Sequence, residues 1–372
     1  MEPMPERIKR VRAFGRRTAS ATAAGCALLL LAAGTVTAEE LARKPAAARS
    51  CELSAAETAW VQQALDGWRW VLAEALRREP SLPRIVLFDS SCVWELNAGG
   101  EDSAAPGLEF VGAPVPVRAR AHDGTVRLPN GKELPAAPIA SGFVRQVEDG
   151  AAQPFFALAS VDLWRQHTPA GERPELELFF LGIVVHEMVH TLQLVELQRQ
   201  LEALAERHEL PTELDDDVIQ NRFGEVEGFR EAFENERDLL YRAALAAADD
   251  DSRALAARAI ELVRARRERF YRGDDAVFAE LEDLFLNLEG LAIWSHFRLA
   301  LASPTVRFLP DFESQDAAAL IEHARQRQGY WSQEEGFALL LLLDRLASDW
   351  RRPLLDELAS PVELLAAALE RD

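Results

Sequence analysis

The chain of 372 residues carries 41 Lys and Arg against 61 Asp and Glu, a formal charge of −20 with histidines neutral. That balance excludes a general nucleic-acid binder, whose affinity would rest on basic side chains at phosphates. At 48 % hydrophobic and 27 % charged, the composition also excludes disorder, collagen and a multi-spanning membrane protein, and leaves a globular protein with ample core material.

Arg7, Lys9, Arg10, Arg12, Arg16 and Arg17 precede an uncharged stretch, 18–38, with leucines at its centre. This is the layout of a secretory signal peptide, and Val36 and Ala38 supply the short side chains needed before a cut at Glu39. Residues 1–38 are therefore expected to export the protein to the periplasm or the medium. The alternative is an uncleaved N-terminal anchor, because the stretch is borderline for spanning a bilayer. Cys26 precedes the leucines, the wrong order for a lipoprotein, and Arg16-Arg17 lacks the bulky residues that follow a twin-arginine pair. Cys51 and Cys92 remain in the exported chain, and an oxidising compartment predicts one disulfide between them.

Along the exported chain, Ala56, Trp60, Val61, Leu65, Trp68, Val71, Leu72 and Leu76 recur at three- and four-residue steps, which predicts an amphipathic helix ended by Pro80. Residues 84–89 and 92–96 read as short strands, or as one strand with a bulge. Residues 98–153 are dense in Gly, Pro, Ala and Asp and predict irregular loops with short strands, with a hairpin turn at Pro129-Asn130-Gly131. Residues 155–161 form a strand candidate. From residue 175 helical periodicity dominates, with helices expected near 175–208, 213–222, 225–248, 252–271, 276–302, 315–327, 334–347 and 361–370. The whole predicts an α+β protein, with an N-terminal α+β region at 39–174 and a mainly helical region at 175–372.

The strongest chemical signal is His186-Glu187-Met188-Val189-His190, set in the apolar run 178–185. Residues four apart share one helix face, so both imidazoles can point at a single zinc ion. Glu187, about 100° round the helix, can act as general base toward water activated there. Three polar groups inside the most apolar helix would be costly to bury without a partner, and a metal is such a partner. A catalytic zinc needs a third protein ligand. Gln193 and Glu196 stand where an extended pattern would need Gly and a third His, so a carboxylate is expected. Glu225, Glu227, Glu231, Glu234 and Glu236 are candidates in one helix, and Glu282, Asp283 and Glu289 in another. Glu289 is preferred, in apolar surroundings and followed by Gly290, which would let its helix approach the zinc helix. Glu227-Gly228 is the runner-up.

His186-Glu187-Met188-Val189-His190 followed at distance by Glu289-Gly290-Leu291-Ala292 resembles the gluzincin zinc metallopeptidases, particularly bacterial branches with this ligand segment. A looser similarity covers 330–350. The resemblance implies a zincin-like fold and one zinc held by His186, His190 and Glu289, with Glu187 as catalytic base. Many gluzincins carry an acidic residue one turn beyond the third ligand; here that position is Ile293, which leaves Asp283 or Glu282 to orient a histidine. Oxyanion stabilisation in such enzymes falls to a Tyr or His, for which His296, Tyr330 and Tyr241 are candidates. The strand at 155–161 would form the sheet edge that receives an extended peptide. His122, His167, His208 and His323 read as structural or exposed.

The expected function is thus an exported zinc hydrolase, a peptidase acting on a peptide or protein substrate. It has no nucleic-acid partner and no membrane contact beyond the anchor alternative. The rivals are a non-catalytic zinc-binding or structural protein, and a zinc amidase acting on a non-peptide bond.

Overall fold

Ser54 and Glu57 open the first helix as a reciprocal pair. The Ser54 hydroxyl accepts from the Glu57 N–H at 3.2 Å, and the Glu57 carboxylate accepts from the Ser54 N–H at 2.9 Å, which satisfies two of the donors that a helix start leaves free. The computed structural model describes residues 51–99, 103–147, 150–168, 173–211, 214–309, 315–326 and 329–371. The expected signal peptide at 1–38 lies outside these. Helix α1 (Ala55–Trp70) runs into a π-helical turn at Val71–Ala75. The strands β1 (Arg84–Phe88), β2 (Cys92–Leu96), β3 (Ser103–Phe110), β4 (Ala113–Ala121), β5 (Thr125–Arg127), β6 (Glu133–Pro135), β7 (Ala140–Gln146) and β8 (Ala152–Ala159) follow. Ser160 then caps α2 (Val161–His167) by accepting from the Leu163 N–H. The helical body comprises α3 (Arg173–Ala205), α4 (Val218–Phe223), α5 (Phe229–Leu245), α6 (Asp249–Phe270), α7 (Phe278–Ala302), α8 (Ala317–Gln326), α9 (Trp331–Leu346), α10 (Arg351–Asp356) and α11 (Pro361–Leu369). The protein is α+β.

Six strands form one mixed sheet in the order β3-β4-β2-β1-β8-β7, with β1 and β8 parallel and the other neighbours antiparallel. The sequence expectation for 155–161 needs correction in two respects. The strand ends at Ala159, and it is interior, between β1 and β7. Phe155 to Ala159 are all buried, and an unbroken apolar run marks a strand covered on both faces. The edge on this side of the sheet is β7, and β3 is the opposite edge. The stretch read as irregular holds the long β3–β4 hairpin, whose register shift between Ala104 and Glu109 accommodates Pro114 and Pro116, as prolines in sheets require. The expected turn at Pro129-Asn130-Gly131 joins β5 to β6, with Gly131 at φ 82° and its N–H donating to the Leu128 carbonyl. Cys51 and Cys92 form the disulfide.

One face of the sheet, through Ile85, Leu87, Leu96 and Leu158, packs on Trp60, Val61 and Leu65 of α1 and on Val184 and Met188 of α3. Behind α3 lies α7, and behind α7 lies α9, so the layers run sheet, α3, α7, α9. A window of α3 has a mean hydropathy of 1.6, enough for a membrane span, yet 78 % of it is buried inside the protein. It is a core helix. A second core stacks Phe223, Phe229, Phe233, Tyr271, Phe278 and Trp331 between α4, α5, α7 and α9.

Candidate metal centre

The step of four residues that puts His186 and His190 on one face of α3 also faces them toward α7, where Glu289 stands. The ring centroids of the two histidines are 4.8 Å apart. The Glu289 carboxylate spans both: Oε2 lies 3.5 Å from His186 Nε2, and Oε1 lies 3.5 Å from His190 Nε2. Zinc held tetrahedrally by nitrogen and oxygen at about 2.0–2.1 Å would set neighbouring donor atoms roughly 3.3–3.4 Å apart, so the observed separations suit such an ion. Ligand atoms of His186, Glu187 and His190 also fall within 4.8 Å of one another.

Burial sharpens the fit. His186, Glu187 and Glu289 are 0 % exposed and His190 is 1 %, and none of their side-chain nitrogens or oxygens has a hydrogen-bond partner. Eight orphaned polar atoms in an apolar interior would cost several kcal/mol as a bare cluster. A divalent cation is the partner this donor set suits, with two neutral imidazoles and a carboxylate around it. Burial holds the His186 imidazole down to about 3, and burial followed by the His186 charge keeps His190 well below its ordinary value. Both are therefore neutral and able to bind metal. Burial pushes Glu289 up to about 8, while the Gln333 amide, near it but outside hydrogen-bond geometry, pulls the other way. Glu187 is raised well above the usual carboxylate range by burial, then by the charges of Glu289 and Asp216.

The runner-up ligand Glu227 is exposed, as are Glu225 and Glu231, and Glu236 is taken up by Arg266 at 2.6 Å. Among the glutamates considered, the structure brings only Glu289 to the histidines. Glu282 and Asp283 cannot orient a zinc-bound histidine, because both serve a buried ion-pair cluster. Arg266 binds Glu282 at 2.9 Å, and Arg267 binds Glu282 at 2.7 Å and Asp283 at 2.8 Å. Gly290 also acts differently from expectation. Its open side meets α9 and not α3: a Cβ there would lie 2.6 Å from the carbonyl carbon and oxygen of Gly336.

The glycine that opens α3 toward α7 is Gly182, where a Cβ would fall 1.7 Å from His296 Nε2. His296 thus sits one helical turn before His186, with its Nε2 donating to the Arg307 carbonyl at 2.7 Å. Its ring nitrogen is engaged in the fold, which weakens its case as an oxyanion donor. Tyr330 is 39 % exposed at the start of α9, one turn before Gln333. Tyr241 is buried against Phe337. Of the other histidines, His122 binds the Asp89 carbonyl and His167 the Leu163 carbonyl.

Two features escaped the sequence reading. Asp216, in the segment before α4, is 7 % exposed and is pushed up to about 8 by burial, then by Glu289. Its carbonyl accepts from Ser332 Oγ of α9 at 2.6 Å, which ties its segment to the helix that carries Gln333. The second is an amide pair beside the ligands, Gln193 and Asn287, both 0 % exposed and bonded at 2.8 Å. No family model, curated protein or solved structure matches the chain.

Proposed function

We propose that the protein is an exported zinc-dependent hydrolase, most specifically a peptidase, with His186, His190 and Glu289 as metal ligands and Glu187 as general base. The observation that carries this reading is the orphaned, fully buried donor set, with Glu289 equidistant from the two histidine nitrogens. The resemblance of the two ligand segments to gluzincins supports it. Export is supported by the basic and apolar pattern of 1–38 and by the disulfide.

A zinc ion here supplies Lewis acidity, polarising a carbonyl and acidifying water. The residues of the chain do the rest. Glu187, next to His186 on α3, would take a proton from the attacking water and return it to the leaving amine. The edge strand β7 is where an extended peptide would add to the sheet. It lies against the zinc helix, since a Cβ on Gly142 of β7 would stand 3.8 Å from His190 Cβ.

One observation favours a second reading. Glu187 is 0 % exposed, a closure that fits a structural zinc site, which excludes water, as well as a catalytic one that opens to admit substrate. Replacement of Glu187 by Gln separates the two. A peptidase keeps stoichiometric zinc and loses hydrolysis of a peptide library by at least a hundredfold, and His186→Ala loses both. Wild-type protein that holds zinc and cleaves nothing would establish the structural reading. Unchanged turnover in the Gln variant would refute the assigned base.

A further inference from the structure

Gln193 lies three residues past His190 on α3, and Asn287 two residues before Glu289 on α7. Gln193 Nε2 donates to Asn287 Oδ1 at 2.8 Å, and Asn287 Nδ2 donates onward to the Ala359 carbonyl at 2.8 Å. Gln193 Nε2 also reaches the Leu354 carbonyl at 3.5 Å. Four residues before Asn287, on the same side of α7, Asp283 accepts from Ser360 Oγ at 2.7 Å. The chain segment 354–360 therefore grips α7 at two successive turns, and Gln193 joins that grip to α3.

We infer that the Gln193–Asn287 pair is a positioning clasp that fixes the register of α3 against α7 and so sets Glu289 between the two histidine nitrogens. This rests on the reading of His186, His190 and Glu289 as a metal centre. Three levels of contact order the helix pair, antiparallel in sense: Gly182 with His296, the two histidines with Glu289, and Gln193 with Asn287. The first and the last flank the ligands. Leucines and phenylalanines such as Phe285, Leu288 and Leu291 fill much of α7, and apolar packing tolerates sliding because it has no directional preference. A buried amide pair tolerates none, since displacement of about an ångström breaks the bond and strands both groups. The clasp makes the ligand register depend on the last twenty residues of the chain, which contribute no ligand.

The test is a pair of variants read for zinc affinity by chelator competition and for thermal unfolding without metal. Gln193→Met with Asn287→Leu replaces the amides by apolar groups of similar shape, so that neither amide strands the other and only the Ala359 and Leu354 carbonyls lose a donor. The expected result is a metal-free protein that still unfolds cooperatively, its midpoint lowered by a few degrees at most, with zinc bound 10- to 100-fold more weakly. If the double variant does not fold, Gln193→Met alone, read below its unfolding midpoint, carries the same expected loss. A folded variant that binds zinc as wild type does, whatever its midpoint, overturns the clasp and leaves the metal centre standing. Wild-type protein that binds no zinc in the same titration overturns the metal centre itself.

Discussion

Substitution of Gly290 by Ala probes the contact that holds the third ligand from behind. The added methyl would lie 2.6 Å from the carbonyl carbon and oxygen of Gly336 and 2.8 Å from its Cα. Ordinary carbon contacts begin near 3.4 Å, and the obstacle is helix backbone, so α7 and α9 must part by roughly 0.6–0.8 Å. Overpacking of this kind costs about 1–3 kcal/mol, which lowers the unfolding midpoint by roughly 1–4 °C for a chain of this size. The movement has one direction open to it. α7 has α9 on one side and α3 on the other, so Glu289 is driven against His186 and His190, whose 3.5 Å separations already suit zinc. Zinc affinity should fall by a factor of 10 or more, comparable to the loss of a supporting partner of a ligand. Calorimetry of the metal-free protein and a chelator-competition titration measure the two effects. A variant with wild-type midpoint and wild-type affinity would refute the close-packed α7–α9 contact and its link to the ligand.

Zinc binding should depend on pH through Glu289. With its carboxyl at about 8 in the metal-free protein, a proton must leave before the group can bind, while the histidines are already neutral. The association constant should therefore rise about tenfold per pH unit from pH 6 and level off above about pH 8, and a flat profile over that range would contradict the raised carboxyl. Replacement of Cys51 and Cys92 by Ala opens a link of sequence separation 41, which should remove about 3–4 kcal/mol of stability. Urea unfolding measures this, and a loss below about 1 kcal/mol would contradict a constraint on the unfolded chain.

The candidate cluster of His186, His190 and Glu289 is legible in the sequence because its signals are local. A four-residue step places two histidines on one face, and an apolar neighbourhood separates Glu289 from the solvated glutamates around Arg222 and Arg230. What the sequence hid is set by contacts between distant segments. Phe155 to Ala159 reads the same at an edge as in the middle of a sheet, and only the pairing with both β1 and β7 decides. Helix α10 is absent from the helices the sequence predicts, since a proline such as Pro353 reads as a helix break, although here it falls in the first turn, where its missing N–H is harmless. Asp216 belongs to an acidic triplet that resembles a solvated loop, and its burial comes from packing against α9. Gln193 was weighed only as a residue that is not glycine. Its value as a buried donor depends on Asn287, 94 positions later.

The complete enclosure of His186, Glu187, His190 and Glu289 bears on how an ion comes and goes. A zinc held by these groups, sealed among α3, α7 and the sheet, would lie out of a chelator's reach, and its departure would wait on the helices parting. The residence time of the ion is then a property of the fold: the rate of escape follows the opening of the α3–α7 seam, and an excess of competitor in solution does not hasten it. Retention by closure would then guard the metal where affinity alone would leave it to equilibrium.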